Sequence, residues 1–213
     1  MSTLEENQSK GGIEVERELP VSVWPEWKIT EKIGEGSFGK VYKAQRTEKG
    51  HSFYSAIKII TIPSSKSELN SVRSETENEN SAREYFENIV EECIQEVSTM
   101  EYFRGNSHIV SVEDFKVVEY LDEIGCDISI RMEYLTSFTD YCAGRNLTER
   151  ETMKLGIDLC KALEYCQQLN IIHRDIKPEN IFVSRFGDFK LGDFGIAREL
   201  EKTMSSLSKK GTY

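Results

Sequence analysis

The sequence predicts an α+β fold of two lobes, the first built on a five-stranded antiparallel sheet with one helix and the second mainly helical. Three observations predict this class. Short β-branched and aromatic runs broken by glycine fill residues 27–62, as in an antiparallel meander. Apolar residues recur at helical spacing over residues 82–103, and they do so again over residues 149–169.

The strands of the first lobe follow in order. The meander consists of the runs WKITEKIG, GKVYKAQR and FYSAIKII. The turn Glu48, Lys49, Gly50 joins the second run to the third, and Pro63 ends the third strand. Two further strands are predicted at 109–118 and 128–134, and apolar and polar residues alternate in the second of these.

Capping signals bound both helices. Ser81 and Glu84 have the spacing of a capping box, so we expect the first helix to begin at about residue 82. Thr148 and Glu151 repeat this spacing at the start of the second helix. Residues 63–81 lack aromatic residues and are rich in Ser, Asn and Glu, which predicts a solvated loop inserted into the first lobe.

These boundaries divide the chain into three parts. Residues 1–26 begin with a charged stretch that contains glycine, and we expect a flexible N-terminal tail there. Residues 27–134 form the first lobe, including the insertion. Residues 135–213 form a partial second lobe, made of one helix followed by short strands and loops.

The composition excludes several classes of function. There are 37 acidic and 27 basic residues, and the resulting net charge of -10 argues against nucleic acid as a partner. The five cysteines include no C-x-x-C pair and have no histidine at metal-ligand spacing, so neither a zinc site nor a disulfide framework is indicated. No apolar run approaches the roughly 18 residues that span a bilayer, and no signal peptide is recognisable. We expect a soluble cytoplasmic protein.

The most informative segment is residues 171–198, with the sequence IIHRDIKPENIFVSRFGDFKLGDFGIAR. Asp175 can accept a proton from a hydroxyl, and Lys177 can neutralise a transferring phosphate. Asn180 and Asp193 can hold magnesium. This combination within one short segment is typical of phosphoryl-transfer chemistry.

The segment resembles the catalytic core of eukaryotic-type (Hanks-type) serine/threonine protein kinases, and the resemblance extends over residues 27–213. It implies a kinase-like two-lobed fold, ATP with Mg²⁺ or Mn²⁺, and a protein substrate that carries serine or threonine. It also implies that Asp175 is the base and that His173 is a packed core residue. Lys177 favours the serine/threonine class over the tyrosine-specific class, and Ile176 favours bacterial members of the family.

The resemblance assigns the glycine-rich turn GEGSFGKV to the ATP phosphates. The turn lies between two predicted strands, so its context excludes a dinucleotide or Walker-type site. Glycine lets the backbone approach phosphates without obstruction by a Cβ atom, although an ordinary glycine-rich turn would have the same pattern. The implied ATP-binding residues here are Ile33, Gly34, Gly36, Ser37, Phe38, Gly39 and Val41.

Two charged residues of the first lobe complete the implied catalytic set. Lys58 and Ala56 are two positions apart on the third strand, so both face one cleft, where the resemblance implies that they bind ATP. By the same resemblance, Lys58 contacts the α and β phosphates and is held by Glu96 of the following helix. Taken singly, Glu96 is better described as a solvated surface charge, and only the resemblance favours it as the partner of Lys58.

The adenine ring has an implied site between the lobes. By resemblance, Met132 is the gatekeeper, the Glu133 carbonyl and Leu135 amide meet the base, and Phe182 forms the floor. An ordinary edge strand that leaves its sheet would have nearly the same sequence, because backbone atoms make most of these contacts.

Arg174 directly precedes the predicted base, and in the family this arrangement couples activity to a phosphate on the segment that follows Asp193. Candidate acceptors on that segment are Thr203, Ser205, Ser206 and Ser208. We hypothesise that phosphorylation of Ser208 orders the segment by pairing with Arg174. A serine-rich mobile loop is the alternative.

The family pattern extends beyond Tyr213, the last residue of this sequence. We therefore expect a chain truncated after the activation segment, either as a gene product or as an incomplete sequence. Three functions stay open: a serine/threonine protein kinase, a catalytically impaired nucleotide-binding or interaction module, and a small-molecule kinase of related fold. Lys177, followed by Pro178 and Glu179, disfavours the third.

Overall fold

The computed structural model describes residues 19–36 and 39–194. The strands of the first lobe are β1 (Lys28–Gly36), β2 (Gly39–Glu48), β3 (His51–Ile62), β4 (Val112–Glu119) and β5 (Cys126–Glu133). They form one sheet in the order β1-β2-β3-β5-β4, and every neighbouring pair is antiparallel. The predicted five-stranded antiparallel sheet is confirmed.

Two helices connect β3 to β4. They are α1 (Lys66–Glu75) and α2 (Glu79–Met100), and a 3₁₀ turn at Glu101–Phe103 follows α2 directly. The α2 helix begins earlier than predicted, because its N-cap is Asn78, whose side chain accepts a hydrogen bond from the backbone N–H of Ser81. Its apolar face packs into the main core through Ala82, Phe86, Ile89, Cys93, Val97 and Met100.

The α1 helix corrects the prediction that residues 63–81 form a solvated loop. Ser65 caps this helix by accepting a hydrogen bond from the backbone N–H of Glu68. Leu69 and Val72 are one helical turn apart and pack against the main core. Two apolar residues do not produce a recognisable helical pattern in a segment whose composition is otherwise polar. They nevertheless suffice to pack one turn of the helix against the core.

The second lobe begins directly after β5. Its elements are β6 (Thr136–Ser137), α3 (Phe138–Cys142), α4 (Glu149–Gln168), a 3₁₀ turn at Pro178–Asn180, β7 (Ile181–Val183) and β8 (Phe189–Leu191). The strands β6, β7 and β8 form a small antiparallel sheet. None of the helices in the described part of the chain is both long and apolar enough to cross a membrane.

The capping box of α4 is confirmed. The hydroxyl of Thr148 accepts a hydrogen bond from the Glu151 N–H, and the Glu151 carboxylate accepts one from the Thr148 N–H at 2.8 Å. The hydrogen bond from the Thr148 N–H has the largest effect on the Glu151 carboxylate, and a hydrogen bond from the Arg145 side chain has the next largest. Both stabilise the charged carboxylate and lower the pKa of Glu151 to about 2. The start of α4 is therefore well defined.

A second apolar cluster covers the outer face of the sheet. Trp24 is only 3% exposed and packs with Trp27, Tyr42 and Ile57. Its indole N–H donates a hydrogen bond to Asp114 of β4 at 2.7 Å. The packed region therefore begins before the expected tail boundary at residue 26. A lone tryptophan within a polar stretch has no periodic pattern that would reveal this packing.

We expect Trp24→Ala to lower the free energy of unfolding by about 3 kcal/mol, since it leaves a cavity in the outer cluster and removes a buried hydrogen bond. Urea unfolding of the full chain, followed by circular dichroism, measures the change. Val21→Ala is the matched control because Val21 is 92% exposed. Equal unfolding midpoints for the two variants would show that Trp24 does not anchor this segment.

Candidate active site

The glycine-rich turn connects β1 to β2, and Gly36 pairs with Gly39 across the hairpin. A Cβ atom at Gly39 would lie 2.4 Å from the Ile59 carbonyl oxygen, so packing alone requires glycine there. At Gly34 a Cβ would only touch Val41 at 3.7 Å, and at Gly36 it would meet nothing within 4 Å. Packing therefore does not explain these two glycines. Ser37 and Phe38 lie outside the described residues.

The β3 strand presents Ala56 and Lys58 on one face, as predicted. Lys58 pairs in register with Val41 of β2, and Ala56 pairs with Met132 of β5. The remaining predicted residue of this region, Ile33, is 43% exposed on β1. These positions form a roof of mostly aliphatic side chains beside the Lys58 ammonium.

Lys58 makes its ion pair across the cleft. Its Nζ lies 2.6 Å from Oδ1 of Asp193, which follows β8 in the second lobe. Glu96, its predicted partner, lies on α2 one turn after Cys93. Burial raises the pKa of the Cys93 thiol to about 12, and the charges of both Glu96 and Lys58 also act on that pKa. Glu96 and Lys58 therefore lie near the same buried thiol.

Asp175 is held by two neighbours in its own loop. Its Oδ2 lies 2.8 Å from the Lys177 ammonium and accepts a hydrogen bond from Nδ2 of Asn180 at 3.0 Å. The same Nδ2 donates to the Asp175 carbonyl oxygen at 2.8 Å. The carboxylate in turn raises the pKa of Lys177, first through their hydrogen bond. The Lys177 ammonium is therefore held in its charged form.

His173 is packed into the core, as the resemblance implies. It is 3% exposed, and its Nε2 lies 2.9 Å from the Gly192 carbonyl oxygen. Burial lowers its pKa, since desolvation disfavours the imidazolium. Phe194 stacks on Phe103 at a centroid distance of 4.5 Å and also contacts the His173 ring at 4.5 Å. An aromatic stack thus connects the end of α2 to the catalytic loop.

Two structural residues of the site, Phe103 and Gly192, were not predicted from the sequence. A Cβ atom at Gly192 would lie 2.7 Å from Val110 and 2.9 Å from the ring of Phe182. Gly192 thus lets Phe182, the predicted adenine floor, pack directly against the chain that carries Asp193. The only available signals were a small residue before an acidic one and an aromatic residue at the end of a helical pattern.

The connection between the lobes is fixed by Glu133. Its carboxylate oxygens lie 2.7 and 2.9 Å from the ammonium of Lys190 on β8. The same carboxylate accepts a hydrogen bond from the Ser111 N–H at 2.8 Å. Met132 and Leu135, the flanking residues of the predicted hinge, are both partly buried.

The regulatory hypothesis falls mostly outside the described residues. The four candidate phosphate acceptors lie outside the residues that the structure describes: Thr203, Ser205, Ser206 and Ser208. Arg174 is described, and it is an exposed residue with a left-handed φ of 64°. It directly precedes Asp175, so its backbone geometry sets the direction from which the chain enters the catalytic loop.

The predicted catalytic and metal-binding residues therefore come together around one cleft. The set consists of Lys58, Asp175, Lys177, Asn180 and Asp193. Within the described ranges, no cluster of three His, Cys, Asp or Glu side chains could hold a metal ion unaided. Asn180 and Asp193 instead offer two oxygen donors, a set that fits a magnesium ion that shares its ligands with substrate phosphates.

Comparison with known proteins gives matches over most of the chain. A family model described as "Protein kinase domain" matches residues 27–213. The chain is 34% identical to Cyclin-dependent kinase 1 of Encephalitozoon cuniculi (strain GB-M1) over 176 residues, which cover 79% of this chain and 49% of that protein.

Two further relatives match over a similar range. Serine/threonine-protein kinase cst-1 of Caenorhabditis briggsae is 32% identical over 183 residues, covering 83% of this chain and 30% of that protein. Serine/threonine-protein kinase Nek1 of Mus musculus is 30% identical over 186 residues, covering 82% of this chain and 12% of that protein. The chain thus spans half or less of the length of these relatives.

The buried His173 should make stability depend on pH. Its pKa is lower in the folded chain than the value of about 6.5 in the unfolded chain, so acidification favours unfolding. We expect stability to fall below about pH 6.5, by at most about 1.4 kcal/mol per pH unit. Urea unfolding at several values between about pH 7.5 and 5.5 measures this slope.

His173→Phe should flatten this dependence, because phenylalanine has a similar ring and no titrating group. The control is His51→Gln, since His51 is exposed at the start of β3 and should leave the slope unchanged. If His173→Phe retains the parental slope, another group is responsible for the pH dependence.

Proposed function

This chain belongs to the protein kinase family, and from that premise we propose that it transfers the γ-phosphoryl group of ATP to serine or threonine hydroxyls of proteins. The observation that carries the proposal is that two sets of contacts meet at one cleft: the ion pair of Lys58 with Asp193, and the contacts of Asp175 with Lys177 and Asn180. These residues come from separate segments, and their chemistry matches the requirements of phosphoryl transfer.

Asp175 is the proposed base. The hydroxyl oxygen of the substrate forms a bond to the γ-phosphorus, the bond from phosphorus to the β,γ-bridging oxygen breaks, and ADP leaves. Asp175 receives the hydroxyl proton. Its Oδ2 is held by Lys177 and Asn180, so the carboxylate is oriented before the hydroxyl arrives. The main contribution to rate is this positioning together with electrostatic stabilisation.

The two lysines neutralise the developing phosphate charge. Lys177 lies 2.8 Å from the carboxylate of the base, where it can contact the transferring phosphoryl group. Lys58 extends from β3 to the opposite side of the cleft and would contact the α and β phosphates. Asn180 and Asp193 would hold Mg²⁺ or Mn²⁺, which when bound neutralises charge on the phosphate oxygens.

We place the adenine ring between the β-sheet roof and Phe182. Ala56 is 6% exposed on the roof, and Gly192 allows Phe182 to approach the cleft from below. The backbone of Glu133 and Leu135 would meet the edge of the base. The Glu133 side chain is held by Lys190, which leaves its backbone as the group that faces the nucleotide.

Serine and threonine are the proposed acceptors. Lys177 has the residue type found in serine/threonine members at this position. The printed names of two relatives, cst-1 and Nek1, also describe serine/threonine-protein kinases. We propose Ser208 as an activating phosphate acceptor that pairs with Arg174.

Asp175→Asn should reduce phosphate transfer by about 10²–10⁴-fold while leaving the affinity for Mg-ATP nearly unchanged, since it removes the base but preserves the shape of the side chain. Transfer from radiolabelled ATP to a generic basic protein and calorimetric titration with Mg-ATP measure the two quantities. Asp122→Asn, at an exposed loop between β4 and β5, is the matched control.

Each outcome of this experiment has a distinct meaning. Parental transfer by Asp175→Asn would remove the assigned base. Equal loss of transfer and of ATP affinity would contradict the separation of chemistry from binding. If the parental chain binds Mg-ATP without any transfer, the nucleotide-binding module replaces the enzyme as the function of this chain.

Phosphoamino-acid analysis of the labelled protein tests the acceptor class. We expect phosphoserine and phosphothreonine without phosphotyrosine, because Lys177 is placed beside the base as in serine/threonine members. A predominantly phosphotyrosine product would contradict the proposed specificity but leave the kinase assignment intact.

A further inference from the structure

A separate cavity of about 670 Å³ lies behind the connection between the lobes. Ser55 lines it, and the period-two rule places Ser55 on the face of β3 opposite Ala56 and the nucleotide roof. Val183 and Arg185 contribute to its wall from the second lobe. Of the proposed nucleotide-binding residues, only Leu135 reaches this cavity. The size is that of a pocket for a small molecule.

The wall of this rear cavity is mostly polar and includes four aromatic residues. Trp27 and Phe53 line it from the outer face of the sheet, while Tyr54 and Tyr134 line it near the connection. Phe53 is 46% exposed and Tyr54 is 47% exposed, so these rings present apolar surface to a ligand. The Tyr54 and Tyr134 rings lie 6.2 Å apart at a tilt of 46°. Such surfaces favour a flat, ring-containing ligand.

Arg46 supplies a positive charge that no described carboxylate neutralises. Its guanidinium lies over the Trp27 ring at 5.4 Å and over the Phe53 ring at 5.2 Å. Its Nε is buried and has no hydrogen-bond acceptor among the described residues. The Nε of Arg131 on the same sheet face also has no acceptor among the described residues, but the Arg131 guanidinium is paired with Glu113, which also accepts a hydrogen bond from Ser55.

The charge of the cavity wall points to an anionic ligand. The wall contains three arginines, Arg46, Arg131 and Arg185, and two glutamates, Glu26 and Glu113, which leaves one net positive charge. The chain as a whole has a net charge of -10, so the net charge of this wall is opposite in sign to that of the chain. A planar guanidinium binds a carboxylate through two parallel hydrogen bonds.

We propose that the rear cavity binds a small aromatic monocarboxylate, with the ring against the exposed part of the Phe53 side chain and the carboxylate on the Arg46 guanidinium. Arg185 provides a second cation at the rim from the second lobe. The wall includes residues of both lobes and of their connection, and most of these residues lie outside the proposed nucleotide cleft, so the ligand occupies a separate site. Nucleotide and ligand therefore bind the chain at the same time.

Calorimetric titration of the full chain with 2-naphthoate tests the proposal, and 2-naphthamide is the matched neutral probe. We expect 2-naphthoate to bind at one site at least about tenfold more tightly than the amide, because only the carboxylate accepts a charge-assisted hydrogen bond. Saturating Mg-ATP should leave this binding detectable. Loss of 2-naphthoate binding in the presence of Mg-ATP would place the ligand in the nucleotide cleft and overturn the proposal.

Arg46→Met should weaken 2-naphthoate binding by about tenfold, since it retains an apolar stem but removes the guanidinium. Arg150→Met is the control because Arg150 is exposed on α4 and does not line the cavity. Arg185→Met, at an exposed turn, provides a second variant if Arg46→Met fails to fold, and it should weaken binding several-fold. A folded Arg46→Met variant that binds 2-naphthoate as tightly as the parent would overturn the proposal. If Arg46→Met does not fold, an Arg185→Met variant with the affinity of the parent would overturn it instead.

Discussion

Asn180 holds the two halves of the candidate site together through its side chain and its backbone. It is 4% exposed, and its side-chain Nδ2 donates to both the carbonyl and the carboxylate of Asp175. Its backbone carbonyl accepts a hydrogen bond from the Gly192 N–H at 2.9 Å, one residue before Asp193. A buried amide must satisfy its hydrogen bonds, so any displacement of the loop leaves polar groups unpaired. Asn180 therefore fixes the separation between Asp175, the proposed base, and Asp193.

The polar residues of this site were predictable from sequence, and their apolar supports were not. Asp175, Asn180 and Asp193 occur at short fixed spacing, and hydrogen bonds between neighbouring segments need no distant element. Phe103 lies in the 3₁₀ turn that follows α2, and its stacking on Phe194 depends on how α2 packs. The contact of Lys58 with Asp193 likewise joins residues 135 positions apart. Only the family resemblance had placed both residues in one cleft.

The fold shows the same division between local and distant determinants. The turn at Lys49 and Gly50 has positive φ values of 47° and 82°, which suit a tight hairpin, and it was predicted from glycine and strand patterns alone. The burial of Trp24 was missed because its hydrogen-bond partner, Asp114, lies 90 residues away. The α1 helix was not predicted because it is stabilised by packing of Leu69 and Val72 against the main core. The residues of that core lie elsewhere in the chain, so the sequence of α1 alone does not indicate the contact.

The carboxylate of Glu133 also determines how the connection responds to ionic strength. The side chains of Glu133 and Lys190 are 24% and 13% exposed, whereas those of Arg73 and Glu79 are 41% and 55% exposed. Mobile ions screen partly buried pairs far less than exposed ones. Concentrated salt should therefore loosen the α1 region while the stiffness between the lobes persists, and the chain retains a rigid pivot in a saline environment.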